Sequence, residues 1–161
     1  MSIMANIARK VDRLEYVSDG APVTQDESLF DTAIDLLVYS LKYQTYLADQ
    51  NRTVATILFD ASGTTAPYSD GPSGFDVLLS RLDVTPLDQA DGTDAAQATQ
   101  CVLTAFADLE ACFHGAPAPI DRRDERALVL TRAAVELLGA LKREAPERYR
   151  DFLATYLKET G

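Results

Sequence analysis

The stretch from Glu27 to Asp49 constrains the fold more than any other part of the chain. It reads ESLFDTAIDLLVYSLKYQTYLAD and contains neither glycine nor proline. It is too long for a strand and long enough for about six helical turns. Winding it as an α-helix, at about 100° per residue, leaves most of its circumference apolar. Its charged residues then lie in one narrow stripe: Glu27, Asp31, Asp35, Lys42 and Asp49.

Three acids of this stripe, Glu27, Asp31 and Asp35, follow one another at single-turn spacing. Neighbouring carboxylates about 6 Å apart repel by roughly 3 kcal/mol at an effective dielectric near 20, and by under about 1 kcal/mol in water. If the stripe is enclosed, a cation or protonation must relieve this repulsion, and the three acids then predict a site for Mg²⁺ or Mn²⁺. If the stripe faces open solvent, the repulsion is negligible and no metal is needed.

Glu27 has a second interpretation. The residues Thr24 to Glu27 match a capping box, in which Thr24 is the N-cap and Glu27 the third helical residue. A capping role and a metal-ligand role for Glu27 are both open. Asp31 and Asp35 lie beyond the first turn, so capping does not explain them.

Composition narrows the class of protein. The chain has 161 residues and 47% hydrophobic residues, which predicts one domain over residues 1–161 with a real core. No apolar run approaches a membrane span, and no signal peptide is recognisable, so we expect a cytoplasmic protein without a membrane partner. The net charge of −10, without a basic tract, disfavours direct binding to a nucleic-acid backbone.

The rest of the chain predicts an all-α bundle of five or six helices, joined by long loops that contain glycine and proline. Helices are expected at residues 3–18, 94–113, 121–143 and 147–158, with a short one at FDVLLSRL. The run TVATILF suits a short strand or a helix, and we favour the helix. Ser73 and Asp121 are expected to cap their helices, and Pro146 to lie in a first turn.

The first helix is basic along one side, through Arg9, Lys10 and Arg13. These residues form either a solvated face or a set of phosphate partners that faces the acidic stripe. Both interpretations are consistent with the sequence.

The run RKVDRLEYVSDGAPVTQDESLFDTAIDLLVYSL resembles part of the MazG-like, all-α nucleotide pyrophosphohydrolase superfamily, above all its phage-type, nucleotide-modification-associated branch. A basic helix of the form RK..RL followed by an acidic helix of the form ES..DT..DL..Y carries the resemblance, over residues 5–48. It implies magnesium-dependent cleavage of a nucleoside triphosphate to the monophosphate and pyrophosphate. It further implies metal ligands at Glu27, Asp31 and Asp35. The phosphate ligands it implies are Arg9, Lys10, Arg13 and Lys42.

One part of the family pattern is missing, because no EExxE motif occurs anywhere in the chain. The site is then either completed by another component or half lost. The resemblance therefore implies either a magnesium-dependent pyrophosphohydrolase or a nucleotide-binding protein with an incomplete acidic site. The alternative function is a non-catalytic helical interaction or regulatory module on the same scaffold. A chain without the family's first helices would leave part of the apolar helix uncovered, so we expect a homo-oligomer.

Overall fold

The computed structural model describes residues 2–18 and 29–160, and most of these residues are helical. No strand occurs in these residues, which confirms the all-α prediction, and no helix in them is long and apolar enough to cross a bilayer. The described residues form seven α-helices rather than five or six, and two short 3₁₀ turns lie at Asp60–Ser62 and Thr85–Leu87. The helices are α1 (Ile3–Ser18), α2 (Leu29–Gln50), α3 (Arg52–Phe59), α4 (Ser73–Ser80), α5 (Ala95–Ala111), α6 (Ile120–Glu144) and α7 (Pro146–Thr160).

Asn51 separates α2 from α3. Its backbone is extended, with φ −145° and ψ 119°, and its side chain accepts a hydrogen bond from the Val54 amide at 3.0 Å. This is N-cap geometry, which ends one helix and starts the next. The run TVATILF is therefore a helix, as predicted, but an independent one.

The helix starts differ from the predictions in detail. Asp94, where the sequence predicts the first residue of a helix, is instead the N-cap of α5 and accepts a hydrogen bond from the Gln97 amide at 2.8 Å. The prediction for Ser73 is wrong, because Pro72 precedes α4 and Ser73 is already helical. The prediction for Asp121 is also wrong in position, because Pro119 precedes α6 and Asp121 lies in its first turn. There the acid still suits the positive end of the helix dipole.

Helices α2 and α6 form the centre of the molecule. α2 packs against α1, α3, α4 and α6. α6 packs against α2, α3, α5 and α7. Buried residues lie around most of the circumference of α2, as its apolar sequence predicts. The side chains at the centre are mostly leucines, including Leu36 and Leu47 of α2 and Leu130 and Leu137 of α6.

The C-terminal half of α6 holds the loop between α4 and α5. The Arg143 guanidinium donates to the carbonyls of Pro86 (3.1 Å) and Thr93 (2.9 Å). Lys142 Nζ donates to the Leu87 carbonyl at 2.8 Å. Gly139 permits this approach, because a Cβ atom there would lie 2.5 Å from the Pro86 carbonyl oxygen.

Candidate functional site

The acidic stripe of α2 is only partly enclosed. Asp31 and Asp35 lie one turn apart in the first half of the helix, where Asp31 is exposed and the Asp35 side chain is 41% exposed. Glu27 and the predicted Thr24 cap lie outside the residues that the structure describes. The structure therefore describes two of the three predicted metal ligands, Asp31 and Asp35.

A cation does lie against the stripe, and it is a side chain. Lys10 of α1 places Nζ 2.9 Å from Oδ2 of Asp35, and its own side chain is largely buried. α1 and α2 pack against each other, so the basic side of the first helix meets the acidic side of the second. The ammonium relieves repulsion at Asp35 in the manner that a bound metal would.

The other predicted phosphate ligands do not all gather at this point. Arg9 is exposed, and its guanidinium donates to Oδ1 of Asn6 on the same helix at 2.7 Å. Arg13 is half-buried, one turn after Lys10. Lys42 lies about two turns beyond Asp35 on α2, with its ammonium 5.7 Å from the centre of the Tyr39 ring. The structure thus brings together Lys10 and Asp35, and it leaves Lys42 farther along the helix.

Within residues 2–18 and 29–160, no group of three potential ligands among histidine, cysteine, aspartate and glutamate lies close enough to hold a metal ion. Asp49, the last acid of the stripe, has a structural role. Its carboxylate accepts hydrogen bonds from the backbone amides of Tyr68 and Ser69 and so holds the loop before α4.

A concave site lies elsewhere, between α2, α3, α4 and α6. It is a cavity of about 260 Å³. Its walls are aliphatic, and a buried amide and hydroxyl lie on its floor. The residues that line it are Leu41, Gln44, Ile57, Leu58, Leu78, Arg81, Leu82, Asp83, Leu128, Thr131 and Arg132.

The floor of the cavity is an ordered chain of hydrogen bonds. Gln44 Nε2 donates to Thr131 Oγ1 at 2.9 Å, Thr131 Oγ1 contacts Ser40 Oγ at 2.8 Å, and Ser40 Oγ donates to the Leu37 carbonyl at 2.9 Å. Each hydroxyl has one proton, so Thr131 donates either to Ser40 or to a backbone carbonyl. Thr131 also lies 3.0 Å from the Ala127 carbonyl, a second acceptor for the same proton. The network connects α2 to α6 through the Gln44 amide and the Thr131 hydroxyl.

The mouth of the cavity is charged. Arg81, Asp83 and Arg132 are all exposed there, and Arg81 donates to the Leu58 carbonyl. Hydrogen bonds from Thr85 lower the pKa of Asp83, and the positive charge of Arg132 acts in the same direction. Asp83 is therefore ionised at neutral pH, and the three side chains together carry one net positive charge.

A second, more open cavity of about 470 Å³ lies between the start of α1, the end of α2 and the start of α6. Its side chains include Tyr43, Tyr46, Phe113 and Arg123. Arg123 lies over the Phe113 ring at 4.9 Å. Burial raises the pKa of the Tyr43 hydroxyl, and the charge and hydrogen bond of Arg123 act in the opposite direction.

One buried acid lies in the helical core. Asp124 of α6 is 6% exposed, and its Oδ1 has no hydrogen-bond partner among the described residues. Burial raises the pKa of this carboxyl to about 6, and the neighbouring charge of Glu125 contributes in the same direction. At mildly acidic pH the side chain is therefore neutral.

The sequence interpretation did not single out Gln44 or Thr131. From the sequence, Asp124 is expected to be a solvated charge at a helix end, and this prediction is wrong, because the residue is buried against the helical core. A signal for each is present, since all three are polar residues on the buried side of a long helix. Gln44 lies between Leu41 and Leu47, at the three-residue spacing of one helix face. A polar residue within such an apolar face identifies a buried hydrogen-bonding group, although it does not identify its partner.

Comparisons with protein-family models, curated proteins and solved structures found no match to this chain.

Proposed function

We propose that this chain is a non-catalytic helical interaction or regulatory module. The ion pair between Lys10 and Asp35 carries the proposal. It uses the middle part of the acidic stripe to join α1 to α2, so the charged faces of these helices serve as a packing interface. A partly exposed ion pair of this kind contributes only about 0–1 kcal/mol, which is adequate for orienting two helices that are already packed.

The second candidate is magnesium-dependent cleavage of a nucleoside triphosphate to the monophosphate and pyrophosphate, as in the MazG-like enzymes that residues 5–48 resemble. The single-turn spacing of Asp31 and Asp35 beside a basic helix favours it. Carboxylate oxygens are the ligands that Mg²⁺ and Mn²⁺ prefer. In this function Asp31 and Asp35 hold the metal, and Arg9, Lys10, Arg13 and Lys42 are the candidates for the phosphates. Lys10 would then have to exchange Asp35 for a phosphate group.

Metal titration separates the two functions. The melting temperature of the wild type is measured with increasing Mg²⁺ or Mn²⁺, with and without nucleoside triphosphates. A ligand at ten times its Kd stabilises the folded state by about 1.4 kcal/mol, or roughly 3–5 °C for a chain of this size. The non-catalytic module is expected to show no shift at millimolar metal.

Two variants assign any shift to a position. Asp31→Asn removes one carboxylate charge from the stripe, whereas Asp76→Asn makes the same change at an exposed acid of α4. A shift that disappears in Asp31→Asn and survives in Asp76→Asn would establish metal binding on α2 and contradict the non-catalytic proposal. A shift that survives in both variants places metal binding on other residues.

We also propose that the chain acts as a homo-oligomer in the cytoplasm. Large apolar side chains that are more than half exposed support the assembly. These are Tyr16 of α1, Ile57 of α3 and Leu157 of α7, of which Ile57 is 66% exposed. Each of these side chains is a candidate contact between copies of the chain.

A further inference from the structure

The second cavity, between the start of α1, the end of α2 and the start of α6, is large enough for a small organic molecule. Its volume is about 470 Å³, and ligand cavities in proteins have volumes of about 300–1,000 Å³. Of the described residues that line it, Arg123 alone is charged. The whole chain has a net charge of −10, so this cavity differs in sign from the molecule that contains it. A positive charge in a concave site favours an anionic ligand.

Arg123 is held in one position by the residues around it. Its Nε donates to the Ala118 carbonyl at 3.2 Å, its guanidinium lies 4.9 Å from the centre of the Phe113 ring, and it donates to the Tyr43 hydroxyl. The Ala118 amide in turn donates to the Cys112 carbonyl at 2.9 Å, which closes the loop between α5 and α6. The guanidinium is therefore ordered before a ligand binds, and a preorganised group loses little entropy on binding.

The guanidinium also remains available to a ligand, because Arg123 is only half-buried. Stacking on Phe113 uses the face of the planar group, and the bonds to Ala118 and Tyr43 use part of its N–H edge. The terminal nitrogens retain N–H donors, which match the two oxygens of a carboxylate. Burial raises the pKa of the Tyr43 hydroxyl, which is therefore neutral at pH 7 and does not cancel the charge of Arg123.

Two aromatic rings are exposed in the same cavity. Tyr46 is 42% exposed and Phe113 is 41% exposed. Each ring is supported from within the protein, since Tyr46 stacks on Tyr43 at a centroid distance of 6.3 Å and Phe113 lies against Arg123. Supported aromatic rings of this kind pack favourably against another ring, in offset or edge-to-face geometry. The cavity thus combines an aromatic part with a cationic part.

We propose that this cavity binds a small aromatic monocarboxylate. The carboxylate pairs with the terminal N–H groups of Arg123, and the ring packs against Tyr46 and Phe113. One guanidinium balances a monoanion, whereas the second charge of a phosphate dianion would have no partner among the described lining residues. The half-buried Ile3 and Met4 of α1 cover the aliphatic part of the ligand. None of the described residues of the acidic stripe lines this cavity, so the site goes beyond the function proposed above.

Three matched probes test the proposal on the full chain. 3-Phenylpropionate has both features, 3-phenylpropanamide has the same ring without the charge, and 3-cyclohexylpropionate has the same charge without the aromatic ring. Binding is followed by two-dimensional ¹H–¹⁵N spectra at up to about 10 mM probe, a range suited to fragments of this size. The Nε–H signal of Arg123 is identified by its absence in Arg123→Gln.

The charge is tested first. We expect 3-phenylpropionate to shift the Nε–H signal of Arg123 and to bind at least about fivefold more tightly than 3-phenylpropanamide, because hydrogen bonds between charged groups are the stronger ones. Arg123→Gln should weaken the acid by a similar factor and leave the amide nearly unchanged. Arg122→Gln, the same change at the neighbouring exposed position, should leave both probes unchanged. Equal weakening of the acid and the amide in Arg123→Gln would overturn the pairing of Arg123 with the carboxylate.

The ring is tested in the same way. 3-Phenylpropionate should bind at least about twofold more tightly than 3-cyclohexylpropionate, although the saturated ring is more apolar. Tyr46→Leu should reduce this preference, whereas Tyr16→Leu, at an exposed position of α1, should preserve it. Equal or tighter binding of the saturated acid by the wild type would overturn the aromatic part of the proposal.

The comparison of probes on the wild type decides the matter even if a variant does not fold. Equal binding of 3-phenylpropionate and 3-phenylpropanamide would overturn the role of Arg123. No shift at any residue of the cavity with any of the three probes would overturn the site itself. A metal effect at Asp31 has no influence on these results.

Discussion

The buried carboxyl of Asp124 gives the most specific prediction about stability. Its pKa is about 6 in the folded chain, compared with an ordinary value of 3.8. Between these two pH values the folded chain binds a proton that the unfolded chain has released. Stability therefore falls as the pH rises from about 4 to about 6, and this contribution is constant above that range.

The magnitude follows from the size of the shift. Each pKa unit corresponds to about 1.4 kcal/mol, so a shift of roughly two units costs at most about 3 kcal/mol at neutral pH. Asp124→Asn keeps the shape of the side chain and removes its ionisation. We expect the variant to be more stable than the wild type by about 1–3 kcal/mol at pH 7.5 and equal to it near pH 4.

Urea unfolding, monitored by far-ultraviolet circular dichroism between pH 4 and pH 8, measures this difference directly. Asp91→Asn is the matched control, because Asp91 is exposed in the loop before α5. Its stability relative to the wild type should be nearly independent of pH. If Asp124→Asn is less stable than the wild type at pH 7.5, the Asp124 carboxylate is ionised and well solvated in the folded state, and the reasoning fails.

Two other predictions concern packing and assembly. Gly139→Ala should destabilise the protein by about 1–3 kcal/mol, as measured by urea unfolding, because the new Cβ would displace the Pro86 carbonyl. Without this contact, alanine in place of glycine inside a helix would stabilise the protein by about 1 kcal/mol. A gain in stability would mean that the loop at Pro86 moves away without cost. Light scattering at micromolar concentration should give the mass of a dimer or larger assembly, and a monomer mass would contradict the oligomer proposal.

Much of the fold could be predicted from local patterns. The length of α2, its mostly apolar circumference, the helix that starts near Asp94 and the helical rather than extended state of TVATILF depend on neighbours within a few residues. The number of helices was underestimated because Asn51 divides a continuous helical pattern through its own side chain. Ser73 and Asp121 show that a capping residue type near a helix start does not establish which residue is the cap.

By itself the sequence determined the helical class, the central position of α2 and the presence of opposite charges on the first two helices. Only the tertiary structure decided that Lys10 meets Asp35. It also decided that Gln44 meets Thr131, 87 positions away, on the floor of a cavity. Helix periodicity depends on contacts three or four residues apart, so it is visible in the chain. The choice between distant partners depends on how whole helices pack, because every side chain at the α2–α6 interface must be placed at once.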